Sequence, residues 1–293
     1  MAAIGFIGLG NMGLPMARNL VKAGHAVRGF DMARSQVDAL AAEGGLVADT
    51  AAGAVDGAEV VVTMLPAGEH VRTVYGESVI GRVPAGTLLV DCSTIDVDSA
   101  RAVAADAEAA GLAMVDAPVS GGVAGASAGT LTFMVGGPAA AFQRAEPLLQ
   151  AMGRTIVHAG GPGNGQAAKI CNNMMLGISM IAVSEAFAMA EKLGLDTASL
   201  FAIASKSSGQ SWAMTSYCPV PGLVEAAPSN RDFKPGFTAS MMLKDLALAE
   251  DAADSVGAST PLGHHAARLY RDYVESGHGA VDFSGIIRML RGE

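Results

Sequence analysis

The sequence predicts an α/β domain built on a mainly parallel sheet, followed by an all-α domain. Three observations point to it. Short runs of β-branched and aromatic residues alternate with helical patterns through the first half of the chain. A glycine-rich turn joins the first run to the first helical stretch. After Gly160-Gly161-Pro162-Gly163 the alternation stops, and a long, almost wholly apolar helical pattern begins.

Taken in order, Ala3–Leu9 reads as a strand and Leu14–Ala23 as a helix, then Ala26–Asp31 as a strand and Arg34–Glu43 as a helix. Glu59–Leu65, which contains Val60-Val61-Val62 and stops at Pro66, reads as the third strand. Further strands are expected at Thr87–Cys92, Ala113–Asp116, Thr130–Gly136 and Thr155–His158, with helices over 97–110 and 139–151. Strands alternating with helices need crossovers, which gives parallel pairing with both faces covered. From Gln166 to about Leu193 the helical pattern is apolar on nearly all sides, as in a helix sunk in a core. Thr197–Lys206, Ala239–Val256, Pro261–Ser276 and Phe283–Leu290 are further helices, and Ser207–Pro235 is irregular. The expected domains are residues 1–162 and 163–293.

Composition narrows the function. The chain has 293 residues, 51% of them hydrophobic and 16% charged, which suits a globular protein with a large core. A formal charge of −9 argues against nucleic acid or an anionic membrane as partner, since both reward clustered Lys and Arg. Cys92, Cys171 and Cys218 are scattered and odd in number, and read as reduced thiols of a cytoplasmic protein. The first strand begins almost at Met1, so no secretory leader is expected. Ile170–Ser184 is too short and, with Asn172 and Asn173, too polar to span a bilayer. The histidines (His25, His70, His158, His264, His265 and His278) show no metal-ligand or triad spacing, so no metal is expected.

Gly8-Leu9-Gly10-Asn11-Met12-Gly13 is a GxGxxG placed between a strand and a helix. The first glycine permits the tight turn, the second lets a pyrophosphate approach the backbone, and the third allows close strand–helix packing. The pyrophosphate then meets the positive end of the helix. Asp31 ends the second strand, where an acid accepts hydrogen bonds from ribose hydroxyls and repels a 2′-phosphate, which favours NAD. Arg34 works against that preference. The plainer alternative is an ordinary turn with a surface aspartate.

Asp116-Ala117-Pro118-Val119-Ser120-Gly121-Gly122 follows a strand, and Ser120, Gly121 and Gly122 offer backbone N–H groups and a hydroxyl to a carboxylate. A flexible turn is the alternative. Gly163-x-Gly165-x-x-x-Lys169-x-x-Asn172-Asn173 opens the long helix, with Lys169 and Asn173 four apart on one face. Burial disfavours a charged lysine and prepares Lys169 for proton exchange near neutral pH. It would take the hydroxyl proton of an alcohol while hydride leaves, with Asn173 fixing the oxygen. The alternative is a helix-end lysine whose head reaches water.

Together these blocks resemble the β-hydroxyacid dehydrogenase family over essentially the whole chain. Phe6–Leu20, Asp116–Gly125, Gly163–Asn173 and Lys244-Asp245 carry the resemblance. It implies an NAD-dependent oxidoreductase acting on a small β-hydroxyacid, with Lys169 catalytic and Ser120, Gly121, Gly122 and Asn173 on the substrate. Leu65, Pro66, Thr94 and Lys244 match positions near the dinucleotide. The family fold is a Rossmann-like domain, a long interdomain helix and an all-α domain, assembled as homodimers or homotetramers. Within the family, Ser208–Trp212, Tyr217–Gly222 and Asp282–Ser284 are similar to members that convert 3-hydroxyisobutyrate to methylmalonate semialdehyde in valine catabolism. Trp212 and Tyr217 would then wall the substrate methyl, or simply pack a core. Cys218 departs from the pattern, where relatives often carry Asn. Reductases of tartronate, glyoxylate or succinate semialdehyde are the alternative, and a non-catalytic dinucleotide sensor is a remote one.

Overall fold

The computed structural model describes all residues, 1–293. The chain divides into two compact units, Met1–Lys169 and Ile170–Glu293. In the first, the elements run β1 (Ala3–Ile7), α1 (Gly13–Lys22), β2 (Ala26–Phe30), α2 (Arg34–Ala41), β3 (Leu46–Val47), α3 (Ala51–Val55), β4 (Val60–Thr63) and α4 (Gly68–Val74). They continue with β5 (Leu88–Asp91), α5 (Val97–Ala109), β6 (Ala113–Asp116), β7 (Val119–Ser120), α6 (Gly122–Ala128), β8 (Leu131–Gly136), α7 (Ala139–Leu149) and β9 (Gly153–Gly160).

The strands form one sheet in the order β3-β2-β1-β4-β5-β6-β8-β7, with β9 beside β8. Pairing is parallel from β3 through β6 and turns antiparallel where β6 meets β8. Six parallel strands in the order 3-2-1-4-5-6 are the doubly wound dinucleotide-binding arrangement, whose order reverses between β1 and β4. The strands read as continuous apolar runs because both faces are covered. On β4, Val60 and Val62 join one core cluster with Ile4, Phe6, Leu88 and Val90, while Val61 joins the other with Ile7, Leu89 and Met114.

The Glu59–Leu65 run proves to be the fourth strand. Leu46–Val47 comes before it as an exposed two-residue edge strand, too short to show a periodicity. The short helices α3, α4 and α6 also lacked a readable repeat. Ser120-Gly121-Gly122, for which the sequence leaves a flexible turn as the alternative, is the end of β7 passing directly into α6.

Helix α8 (Asn164–Lys192) starts in the first unit and runs into the second, which continues with α9 (Thr197–Ala204), α10 (Trp212–Thr215), α11 (Ala239–Val256), α12 (Pro261–Tyr273) and α13 (Ile286–Arg291). Fully buried Met180, Phe187, Met242, Leu246, Tyr270 and Ile286 form the core of this unit. Gly177 lets α8 approach α11, since a Cβ there would stand 3.1 Å from Leu246 Cδ2. By length and composition α8 could cross a bilayer, but half of its most apolar stretch is buried inside the protein.

Candidate active site

At the end of β1 the chain turns at Gly8, whose φ is +96°, and a Cβ there would lie 2.2 Å from the Met64 carbonyl oxygen. A Cβ at Gly13 would lie 1.9 Å from the Gly8 carbonyl oxygen. Only glycine fits either position. Gly10 is different: nothing stands within 4 Å of its missing Cβ, so the backbone is open to an approaching group. No side chain caps the first turn of α1, and no acid lies in that turn. Asn11 is exposed and Met12 half-buried at the same turn. Two tight glycines around one open one, before an uncapped helix, fit a pyrophosphate.

Asp31 directly follows β2, and its two carboxylate oxygens accept from the Leu9 N–H at 2.7 Å and the Ala33 N–H at 2.8 Å. Each oxygen keeps a lone pair for a ribose hydroxyl. Beside it an open cleft is lined by Phe30, Asp31, Met32, Arg34, Val37, Ala48 and Asp49. These residues fit the adenosine half of a dinucleotide.

The loops after β4 and β5 are held by a buried network. Asp91 Oδ1 accepts from the Thr63 and Ser93 hydroxyls at 2.7 and 2.6 Å, and the Ser93 hydroxyl in turn accepts from the Leu65 N–H at 2.8 Å. Burial pushes the Asp91 carboxyl up from its ordinary value, against these hydrogen bonds. Leu65 and Thr94 are half-buried and Pro66 is exposed, all at the carboxyl ends of strands beside the switch point.

Gln166, three residues before Lys169, ties that network to α8. Its Oε1 accepts from the Ile95 N–H at 3.1 Å, and its Nε2 donates to the Ser93 carbonyl at 2.8 Å. Thr94 sits between these two anchors. Asp116 fixes the same turn of α8 from the other side, accepting from the Gly163 N–H at 2.8 Å and the Gln166 N–H at 2.9 Å. Gly136 and Gly165 make room for it, since a Cβ on either would fall within 2.8 Å of the Asp116 carboxylate. Burial raises the Asp116 carboxyl to about 6, with the two amides pulling the other way. Lys169 follows on α8 with 7% of its surface exposed.

Past Asp116, β7 ends at half-buried Ser120, paired with Thr132 of β8. Gly121 and Gly122 both take positive φ, +133° and +61°, which makes two successive glycines a steric requirement. They open α6 without a capping side chain.

In the second unit, buried Asn173 donates from Nδ2 to Asp245 Oδ2 at 2.5 Å and accepts at Oδ1 from Asn172. The Lys244 ammonium lies 3.6 Å from Asp245 Oδ1. Trp212 stacks on Tyr217 with ring centroids 5.0 Å apart, and Tyr217 stacks on Phe283 at 5.3 Å. The Tyr217 hydroxyl donates to Asp282 Oδ2 at 2.9 Å. Burial, reinforced by Asp282, raises the phenol well above its usual range and keeps it protonated.

Sequence reasoning singled out Lys169, Asn173 and the glycines but gave no role to Asp116, Gln166, Ser93, Asp245 or Asp282. Asp116 and Asp245 stood inside the quoted blocks, and Gln166 lies one turn before Lys169. Their partners come from distant parts of the chain, so no local spacing marked them.

Two family models together cover nearly the whole chain. The NAD-binding domain of 6-phosphogluconate dehydrogenase matches residues 3–161, and the NAD-binding domain of NADP-dependent 3-hydroxyisobutyrate dehydrogenase matches residues 163–290. The chain belongs to the β-hydroxyacid dehydrogenase family. It is accordingly an NAD-dependent oxidoreductase. Pseudomonas aeruginosa 3-hydroxyisobutyrate dehydrogenase is 50% identical, covering 100% of both chains. The NAD-dependent L-serine dehydrogenase of that organism is also 50% identical, covering 99% of this chain and 98% of its own. The solved structure of Mycobacterium tuberculosis 3-hydroxyisobutyrate dehydrogenase with L-serine superimposes with a TM-score of 0.96 at 51% identity, covering 99% of each chain.

Proposed function

We propose that this family member oxidises 3-hydroxyisobutyrate to methylmalonate semialdehyde with NAD, using Lys169 as general base and, in reverse, as general acid. The observation that carries the reading is a buried lysine on a helical turn clamped by Asp116 and Gln166, one turn before buried Asn173. The Ser120-Gly121-Gly122 amides grip the substrate carboxylate. Asn173 gives one amide N–H to Asp245 and keeps the other for the substrate hydroxyl oxygen. Lys169 Nζ takes the proton from the hydroxyl oxygen as hydride leaves the carbon that bears that hydroxyl, giving the carbonyl. Bound NAD supplies the hydride acceptor, held by Gly8, Gly10, Asn11, Met12, Gly13 and Asp31 at its adenosine and pyrophosphate end. Leu65, Pro66, Thr94 and Lys244 serve its nicotinamide end.

Trp212 and Tyr217 form the wall for the substrate methyl: Tyr217 is held between Trp212 and Phe283 with its hydroxyl engaged by Asp282, and half-exposed Trp212 presents the open ring face. A second reading, L-serine oxidation, is favoured by the 50% identity to a serine dehydrogenase. Serine replaces the methyl by an ammonium, which an aromatic face also attracts.

Residues 1–162 form the dinucleotide domain in this reading, and 163–293 the substrate and assembly domain; the break between the two family matches supports it. A homodimer or homotetramer in the cytoplasm completes it; assembly is supported by Met175 and Met189 on α8 and Leu193 just past its end, which are exposed apolar side chains. Light scattering on the purified protein tests the assembly. The mechanism is tested with Lys169→Ala: turnover falls by about 10²–10⁴-fold, as for a lost general acid–base, while NADH affinity holds. Near-normal turnover in that variant refutes the role of Lys169.

A further inference from the structure

The ribose cleft contains a cation that its surroundings neutralise. Among its lining residues Arg34 alone is positively charged, and it opens α2 three residues after Asp31. A guanidinium there would suit the 2′-phosphate of NADP, because a planar fork pairs with phosphate oxygens. Two of its three nitrogens are turned elsewhere. Nε donates to Asp38 Oδ1 at 3.0 Å, one turn along α2, and Nη1 donates to Asp49 Oδ1 at 2.7 Å, from the loop between β3 and α3. Asp31, Asp38 and Asp49 carry three negative charges against one positive, a net −2 around the cleft.

We propose that Asp38 and Asp49 are specificity-determining residues which, by pairing with Arg34, withhold it from a 2′-phosphate and so enforce the preference for NAD over NADP. Asp31 repels the phosphate directly; Asp38 and Asp49 remove the counter-charge that would offset the repulsion. All three side chains of the clamp are more than half exposed. Exposed pairs are weak and screened by salt, each worth roughly threefold in an equilibrium, and the two factors multiply to roughly tenfold. This inference rests on adenosine occupying the cleft beside Asp31.

The test is equilibrium binding without turnover. Calorimetry compares adenosine 2′,5′-bisphosphate with 5′-AMP on the wild type, Asp38→Asn/Asp49→Asn, Arg34→Ala and the triple variant. The double variant is expected to gain roughly tenfold in the bisphosphate-to-AMP affinity ratio, and the gain shrinks as salt rises. Adding Arg34→Ala to the double variant abolishes the gain, whereas Arg34→Ala alone leaves the ratio near that of the wild type. No gain in the double variant overturns the proposal. So does a gain that survives loss of Arg34, because the acids would then act by their field alone. If 5′-AMP fails to displace NADH from the wild type, the placement of adenosine in the cleft is what fails, and the proposal falls with it.

Discussion

Replacing Asp116 by asparagine should remove a contribution to stability whose pH dependence runs opposite to ordinary acid denaturation. The Asp116 carboxyl rises on folding from an ordinary 3.8 to about 6, chiefly because it is buried, and secondarily because of nearby Asp91. The Gln166 and Gly163 amides oppose the rise without cancelling it. An acid that holds its proton more tightly when folded leaves the native state binding more protons than the unfolded state between those two values. Its contribution to stability is therefore complete below 3.8 and is lost as pH rises through 6. At about 1.4 kcal/mol per pH unit, the whole window is worth about 3 kcal/mol, of which about 2 kcal/mol falls between roughly pH 4.5 and 7.5.

Asparagine does not titrate, and its single acceptor oxygen leaves one of the two amides uncapped, at a cost of about 1–3 kcal/mol. The wild type should therefore exceed Asp116→Asn in stability most near pH 4.5, and the gap should narrow by about 2 kcal/mol by pH 7.5. Urea unfolding followed by circular dichroism across that range measures the gap, provided the denaturant slopes agree. A gap that stays constant, or widens as pH rises, would refute the reasoning by showing that the amides balance or outweigh burial.

Three further outcomes follow from the same geometry. Gln166→Leu strands the buried Ser93 carbonyl and Ile95 N–H, so it should cost about 2–6 kcal/mol of stability and weaken NADH binding measured by fluorescence. Unchanged NADH affinity would detach Gln166 from the Thr94 loop. Asp245→Ala frees the Asn173 amide and should lower kcat/KM by roughly tenfold, with Asp245→Asn recovering most of the loss because it keeps an acceptor. Equal damage from both variants would point to the Lys244 pair instead. Gly13→Ala places a methyl 1.9 Å from the Gly8 carbonyl, and NADH titration should show binding reduced by more than about tenfold.

Much of this was legible in the sequence because the signals were local. The GxGxxG turn, the buried-strand runs and the Lys169–Asn173 spacing each lie within one or two elements, and helix α11 falls at Ala239–Val256 as its periodicity predicts. The hidden parts depend on partners far apart in the chain. Asp116 and Gln166 meet 50 residues apart, and Asn173 and Asp245 meet 72 apart. The edge strand β3 has only two residues, and the short helix α6 is made of Gly, Ala, Val and Ser, so neither carries a hydrophobic period. Arg34 read as a possible aid to NADP; its pairing with Asp49 became visible only once the loop after β3 was folded beside it.

The most direct test of the account compares kcat/KM for 3-hydroxyisobutyrate, L-serine, glycerate and 4-hydroxybutyrate, each with NAD and with NADP. 3-Hydroxyisobutyrate with NAD should give the highest value, with L-serine next because the same aromatic wall receives its ammonium. A higher value for glycerate or 4-hydroxybutyrate, or for NADP over NAD, would contradict it.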